Sequence, residues 1–278
     1  MAGATGRLGG PLADSLIDRG HRIRALTRDP GSAAADRLRR RGAGIVAGDL
    51  DDPPSLRRAA AGADVVFVLS TPHHGTGPAA EARQAISLAD AAVAARAGYL
   101  VYASAAGARQ ARGVPMLDSK RRVEEHLAIL PVPHAVIAPA YFMDNLDYPW
   151  NRAVLRAGQW PIPLPPDRPV QLIPAIDMAR FATLVIEQPG DFAGQRIEVA
   201  SDEVTGPEAA HILSEILRRP LAHLQATPAP LAPMAPFFQW LADTGFHGDI
   251  RQLRSRYPEI GWHSLQQWAA THDWADLA

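Results

Sequence analysis

The sequence predicts an α/β fold, a doubly wound parallel sheet followed by a smaller α+β region, and three observations carry that expectation. Gly3, Gly6 and Gly9 open a helical pattern at the start of the chain. Short apolar runs then alternate with helical stretches as far as Pro139. One of these runs, Val65-Val66-Phe67-Val68-Leu69, is apolar at every position, as strands covered on both faces are. Alternation at this spacing argues for right-handed βαβ units.

Composition narrows the function classes. The 278 residues are 47% hydrophobic with a formal net charge of −1, enough for a packed core and no sign of a nucleic-acid or membrane partner. No apolar run is long enough to predict a membrane-spanning helix. The chain has no cysteine, which excludes disulfides, thiolate catalysis and cysteine-based zinc sites. A soluble, cytoplasmic protein is the expectation.

Taken in order, residues 10–19 place Leu12, Leu16 and Ile17 on one face, with Gly20 as C-cap. Ile23 to Thr27 is the next strand, Ala33 to Arg41 a basic helix stopped at Gly42, and Ile45-Val46-Ala47 a short strand. Ser55 to Ala61 reads as helix, 65–69 as strand, 79–97 as a long alanine-rich helix and Tyr99 to Ala103 as strand. Residues 117–130 are helical again, and His134 to Ala138 is a strand between prolines. The rhythm then changes. Tyr141 to Arg156 reads as helix apart from Pro149, Asp177 as the cap of a helix to Glu187, and Arg196 to Ala200 as strand. Thr205 and Glu208 form a capping box before a helix to Leu217. Pro228 to Pro236 reads as a linker, and Trp262 to Trp274 as an amphipathic helix. The boundary falls near 140, giving a nucleotide-binding domain at 1–140 and a smaller substrate or cap region at 141–278, partly interleaved with the sheet.

Only Met1 and Ala2 precede the glycines, so the central first strand is nearly missing. The expectation is a natural start upstream, with Met1 inside that strand.

The glycine spacing predicts a phosphate cradle formed by Gly3, Thr5, Gly6, Arg7, Leu8 and Gly9. Glycine allows a tight turn, a close approach of pyrophosphate to backbone N–H groups, and close helix packing. In such a sheet ligands lie beyond the C-terminal strand ends. Those ends here are the glycine loop, Arg28, Asp49-Leu50, Ser70-Thr71 and Ser104. An acid at position 28 would hold a ribose 2′-hydroxyl, whereas Arg28 suits a 2′-phosphate. The cofactor expected is therefore NADP(H). Asp49 could accept from an adenine amino group with Leu50 against the ring, or be a turn aspartate. Ser104 lacks a nucleophile elbow and reads as a hydrogen-bonding residue for cofactor or substrate. His73-His74 are adjacent and have no matching carboxylate cluster, so a loop role is expected and no metal site.

The chain contains 27 arginines and one lysine, Lys120. Where arginine is used almost everywhere, a retained lysine marks a place a guanidinium does not serve. Lys120 could hold the nicotinamide ribose from a helix, or belong to a solvated face with Arg121, Glu124 and Glu125.

These residues resemble the NmrA-like family of atypical short-chain dehydrogenases/reductases. The resemblance rests on GATGRLGG, LTRDP, GDLDD, VYASAAG, LDSKRRVEEHL and PAYFMDNL, and covers nearly the whole chain. It implies an NADP(H)-preferring Rossmann domain with a small C-terminal substrate domain. It also implies Gly3, Gly6 and Gly9 at the phosphates, Arg28 at the 2′-phosphate, and Asp49 and Leu50 at adenine. Lys120 would then lie at the nicotinamide ribose, and Phe142 and Asn145 would line the pocket.

Three departures bear on chemistry. Met116 stands where the wider superfamily has its proton-donating tyrosine, four residues before the lysine. Ala105 occupies the usual serine or threonine position, and Ala138-Pro139 replaces an Arg-Pro. Two readings follow. One is hydride transfer from NADPH to a quinone-like or other conjugated small acceptor, apolar or aromatic, with Lys120 and Tyr141 stabilising the developing oxyanion. The alternative is a non-catalytic NADP(H) redox sensor acting through a protein partner.

Overall fold

The computed structural model describes residues 1–71, 77–224 and 229–277. The chain contacts divide it into two units, Met1–Ala138 with Met178–Ile197, and Pro139–Asp177 with Glu198–Ala278. The chain begins with α1 (Gly9–Asp18), β1 (Arg24–Thr27), α2 (Ala33–Arg40), β2 (Gly44–Ala47) and α3 (Pro53–Ala60). It continues with β3 (Val65–Val68), α4 (Gly77–Ala94), β4 (Tyr99–Ala103), α5 (Pro115–Leu127) and β5 (His134–Pro139). Then come β6 (Tyr141–Phe142), α6 (Pro149–Arg156), β7 (Gln159–Trp160), β8 (Val170–Ile173), α7 (Ala175–Glu187), α8 (Pro189–Phe192) and β9 (Arg196–Val199). The last elements are β10 (Asp202–Val204), α9 (Gly206–Leu217), β11 (Ala222–His223), α10 (Ala235–Asp243), α11 (Ile250–Arg256) and α12 (Leu265–Thr271).

In the first unit β1 and β2 pair in parallel, and the other strands run in the order β3-β4-β5-β9. Two residues join these sets. The Met1 carbonyl accepts from Leu26 N–H at 3.0 Å, and Ala2 N–H donates to the Phe67 carbonyl at 3.2 Å. The Met1 amine donates to the Arg24 carbonyl at 2.7 Å. Met1 and Ala2 thus sit between β1 and β3, in the first-strand position of a doubly wound sheet. Burial, then the charge of Arg24, pushes the Met1 amine down to about 5.

Both faces of this sheet are covered. Leu56 and Ala60 of α3, Ala85 and Leu88 of α4, and Val123 and Leu127 of α5 pack with Val66, Val68, Leu100 and Val136. Ala13 of α1 and Leu38 of α2 pack with Ala4 and Ala25. Arg37 clasps both carboxylate oxygens of Asp14 at 2.9 Å, tying α2 to α1. The helix ends follow the side chains available. Ser32 accepts from Ala35 N–H at the start of α2, Pro53 and Pro115 lie in the first turns of α3 and α5, and Gly20 closes α1 at φ +84°. Among the described residues no helix is long and apolar enough to cross a membrane.

The second unit carries a three-stranded sheet, order β10-β8-β6, and the parallel pair β7 and β11. Several local expectations change here. Residues 141–156 are not one interrupted helix: Tyr141–Phe142 is strand, Met143–Asp147 a 3-10 turn, and Pro149 begins α6. Proline has no N–H to lose in a first turn, and it holds Tyr148 extended at ψ 140°. Asp177 is not a cap. Helix α7 starts two residues earlier, where Asp144 Oδ2 accepts from Ala175 N–H at 2.7 Å. Asp177 lies fully buried, within 2.7 Å of His263 N and 2.6 Å of His263 Nδ1. Residues 262–274 are helical only over α12, because Ser264 and Gln267 form a capping box and the flanking indoles bind backbone carbonyls. The stretch expected as a linker, Pro228 to Pro236, holds a 3-10 turn at Ala229–Met234 and the start of α10.

Thr205 and Glu208 do form their capping box at α9. Thr205→Ala is expected to cost about 1 kcal/mol, the usual worth of an N-cap. A urea-unfolding midpoint lowered accordingly checks this; an unmoved midpoint contradicts it.

Candidate functional site

The glycine loop is built by close approach. Gly3 turns at φ +69°, and its carbonyl accepts from Gly6 N–H at 2.8 Å. A Cβ on Gly9 would lie 2.1 Å from the Gly3 carbonyl oxygen, a backbone atom that cannot move aside cheaply. Only glycine lets α1 start this close to the loop. Thr5, Gly6 and Arg7 are exposed, whereas Leu8 is buried and can offer only its backbone outward. No acidic side chain stands in the first turn of α1, so no carboxylate there repels an anion at the positive end of the helix. An anion fits this cradle.

At the end of β1 the loop is tied by its own side chains. The Thr27 hydroxyl accepts from Asp29 N–H, and Asp29 Oδ1 accepts from Gly31 N–H at 2.9 Å. The turn engages one carboxylate oxygen of Asp29. Arg28 is exposed and makes no ion pair among the described residues. Beyond β2, Asp49 Oδ1 accepts from Asp51 N–H at 3.0 Å, a turn role that leaves the other carboxylate oxygen available. Leu50 is half-buried against the sheet core.

Ser70 and Lys120 meet at the end of β3. Lys120 Nζ donates to the Ser70 carbonyl at 3.0 Å, pairs with Glu81 Oε1 at 2.7 Å and lies 5.7 Å from the centroid of the Tyr102 ring. The lysine side chain is 12% exposed, so it does not belong to a solvated face. Ser70 Oγ is buried without a hydrogen-bond partner among the described residues, and Thr71 is exposed. His73 and His74 lie outside the described residues.

Ser104 is buried and donates its hydroxyl proton to Glu124 Oε1 at 2.5 Å. Arg109 and Arg196 complete the shell of Glu124, each with Nε 2.9 Å from Oε2. Any contact of Ser104 with a ligand therefore uses its lone pairs. The Tyr102 phenol, fully buried, is held well above its ordinary range by burial, then by Glu81 and Glu124, and stays neutral.

In the second unit the side-chain amides of Asn151 and Asn145 stand by the Tyr141 hydroxyl and pull its pKa down. Asn151 Nδ2 also donates to the Asn145 carbonyl at 2.8 Å. Burial pushes the Tyr141 phenol up to about 12 against the pull of these amides, so it remains a neutral O–H donor at neutral pH. Phe142 is half-buried beside it. Tyr148 and Trp150 stack at 4.5 Å with their rings 8° apart, and Trp150 is 39% exposed.

Three of these residues are not apparent as site residues on first reading: Glu81, Glu124 and Asn151. A signal existed for two of them. Glu81 shares the apolar stripe of its helix with Ala85, Leu88, Ala89 and Ala92. Glu124 follows Lys120 by one turn, between Leu117 and Leu127. An acid on a core-facing stripe needs a buried partner. Asn151 carries no such mark.

A doubly wound sheet with a glycine-rich turn at its central crevice defines a Rossmann-type fold. The chain belongs to the NmrA-like family, whose model matches residues 1–241. Over 225 residues it is 31% identical to a (4-alkanoyl-5-oxo-2,5-dihydrofuran-3-yl)methyl phosphate reductase of Streptomyces griseus, covering 80% of this chain and 74% of that one. In structure it is similar to an NADPH-dependent quinone oxidoreductase of Escherichia coli complexed with NADPH, with TM-score 0.81, 22% identity and 97% of each chain covered. It is also similar to NmrA, a negative transcriptional regulator, in complex with NADP, with TM-score 0.80, 21% identity, and 97% and 93% of the two chains covered.

Proposed function

We propose that this protein is an NADP(H)-dependent reductase of small conjugated acceptors, quinone-like or enone-like, working without a tyrosine general acid beside its lysine. The observation that carries the reading is Lys120, the only lysine, held at the end of β3 by Glu81 and the Ser70 carbonyl, while Met116 stands one turn before it. The glycine cradle would hold the cofactor pyrophosphate, Arg28 the 2′-phosphate, and Asp49 and Leu50 the adenine. Ser70, Thr71 and Ser104 would line the remaining strand ends.

Bound there, a reduced nicotinamide supplies hydride to the acceptor. Lys120 holds the ribose hydroxyls and contributes a positive charge toward the charge that develops on the acceptor oxygen. Tyr141, a phenol kept neutral by burial, would donate its O–H to that oxygen. A conjugated acceptor delocalises its charge and takes the final proton from water, so the methionine at 116 is tolerated. Support comes from the names of the relatives, a butenolide-type phosphate reductase and a quinone oxidoreductase. Phe142 and the open face of Trp150 suit an apolar or aromatic acceptor.

Steady NADPH oxidation across a panel of quinones and enones is the expected result. Tyr141→Phe is expected to lower kcat about tenfold, the worth of one hydrogen bond, without changing the NADPH KM. An unchanged kcat would remove Tyr141 from the chemistry. The second reading is an NADP(H) sensor, favoured by Met116 and by the likeness to the regulator NmrA. Tight NADPH binding with no turnover on any acceptor, plus cofactor-dependent association with a protein, would put it first.

A further inference from the structure

We infer that Glu81 is the positioning residue of Lys120: a buried carboxylate on α4 holds the sole ammonium of the chain at the end of β3 and leaves one of its N–H donors for a ligand. The inference rests on the reading of Lys120 as a donor to the cofactor.

Helix α4 is rich in alanine, and Glu81 lies on its core-facing stripe at 1% exposure. A lone carboxylate there would cost several kcal/mol of desolvation, so its presence demands partners. Both oxygens have one. Oε1 lies 2.7 Å from Lys120 Nζ, and Oε2 accepts from the Ser119 hydroxyl at 2.7 Å. Two adjacent residues of α5 thus grip one carboxylate from α4. The serine orients the carboxylate, and the carboxylate aims the ammonium.

An ammonium carries three N–H donors. The Ser70 carbonyl, at 3.0 Å, takes one, while Glu81 Oε1 holds the charge as an ion pair at 2.7 Å without an aligned hydrogen bond. The Tyr102 ring, 5.7 Å from Nζ, faces the charge without accepting a proton in line. At least one donor remains. A guanidinium is a larger planar fork whose donors could not all be met by one carboxylate oxygen and one carbonyl in this space. That accounts for lysine at this position in a chain that otherwise uses arginine throughout.

The single lysine makes the test direct, because lysine labelled with nitrogen-15 gives one side-chain ammonium resonance. In the full-length protein, Glu81→Gln is expected to speed acylation of Lys120 by a small amine-reactive ester about tenfold or more, the worth of a charge-assisted bond. It is also expected to shrink the shift that NADP+ induces in the ammonium resonance, and to lower kcat more than it alters the NADPH KM. Glu81→Asp should restore part of each effect, and Ser119→Ala should give a weaker version of the glutamine phenotype. These two variants serve if the glutamine variant fails to fold. Folded variants with wild-type acylation rates and a wild-type response to NADP+ would overturn the inference alone. A wild-type resonance indifferent to NADP+ would overturn the cofactor reading of Lys120, and the inference with it.

Discussion

Lys120→Met is expected to destabilise the first unit by about 3–5 kcal/mol, the range for removing one partner of a buried ion pair, and to suppress turnover. The cause lies less in the lost lysine than in what it leaves behind. Glu81 is almost completely buried, and without Lys120 its only side-chain partner among the described residues is the Ser119 hydroxyl. A methionine can fill the volume of the lysine stem but cannot meet the carboxylate. Unfolding in urea should show the loss directly. The double variant Lys120→Met with Glu81→Gln should recover most of the stability, since the uncompensated charge is gone, while turnover stays low. If the single variant unfolds at the wild-type midpoint, the pair is not holding α4 to α5. If the double variant recovers turnover, Lys120 has no part in the chemistry.

Arg28→Ala is expected to weaken NADPH binding by about 1.5–3 kcal/mol, the worth of a hydrogen bond between charged groups, and to leave NADH binding nearly unchanged. Arg28 is exposed at the end of β1 and is tied to no acid among the described residues, so its loss should not disturb the fold. Its neighbour Asp29 spends Oδ1 on the turn at Gly31. Fluorescence titration with both nucleotides tests this. Equal losses for NADPH and NADH would show that Arg28 contacts a group the two share, and the 2′-phosphate assignment would fall.

Most of the sheet was legible because its strands are buried on both faces and their apolar runs are continuous. Val65 to Leu69, Tyr99 to Ala103 and His134 to Ala138 all become strands within a residue of their expected ends. The glycine loop was legible for a steric reason, since an α1 that begins against the Gly3 carbonyl admits no Cβ at Gly9. Met1, expected inside the first strand, does lie between β1 and β3, where it and Ala2 hydrogen-bond to Leu26 and Phe67. What escaped was mostly long-range. Asp177 carries the local mark of a helix cap, but Asp144, thirty-one positions before Ala175, takes that role because its carboxylate reaches Ala175 N–H. Pro149 looked like an interruption and is a start. Trp262 and Trp274 flank α12 outside the helix, and each binds a backbone carbonyl through its indole N–H. Lys120 stood out by its rarity, but its partner Glu81 lies 39 positions earlier, beyond any local pattern.

On the proposed function, this fold binds a nicotinamide nucleotide through its glycine loop and distinguishes its 2′-phosphate. Calorimetric titration of the purified protein with NADPH and NADH tests it most directly. Saturable binding of both, with NADPH tighter by roughly ten- to a hundredfold, is the expected result, the discrimination worth one charge-assisted contact. A folded protein that binds neither nucleotide, or binds both equally, would contradict it.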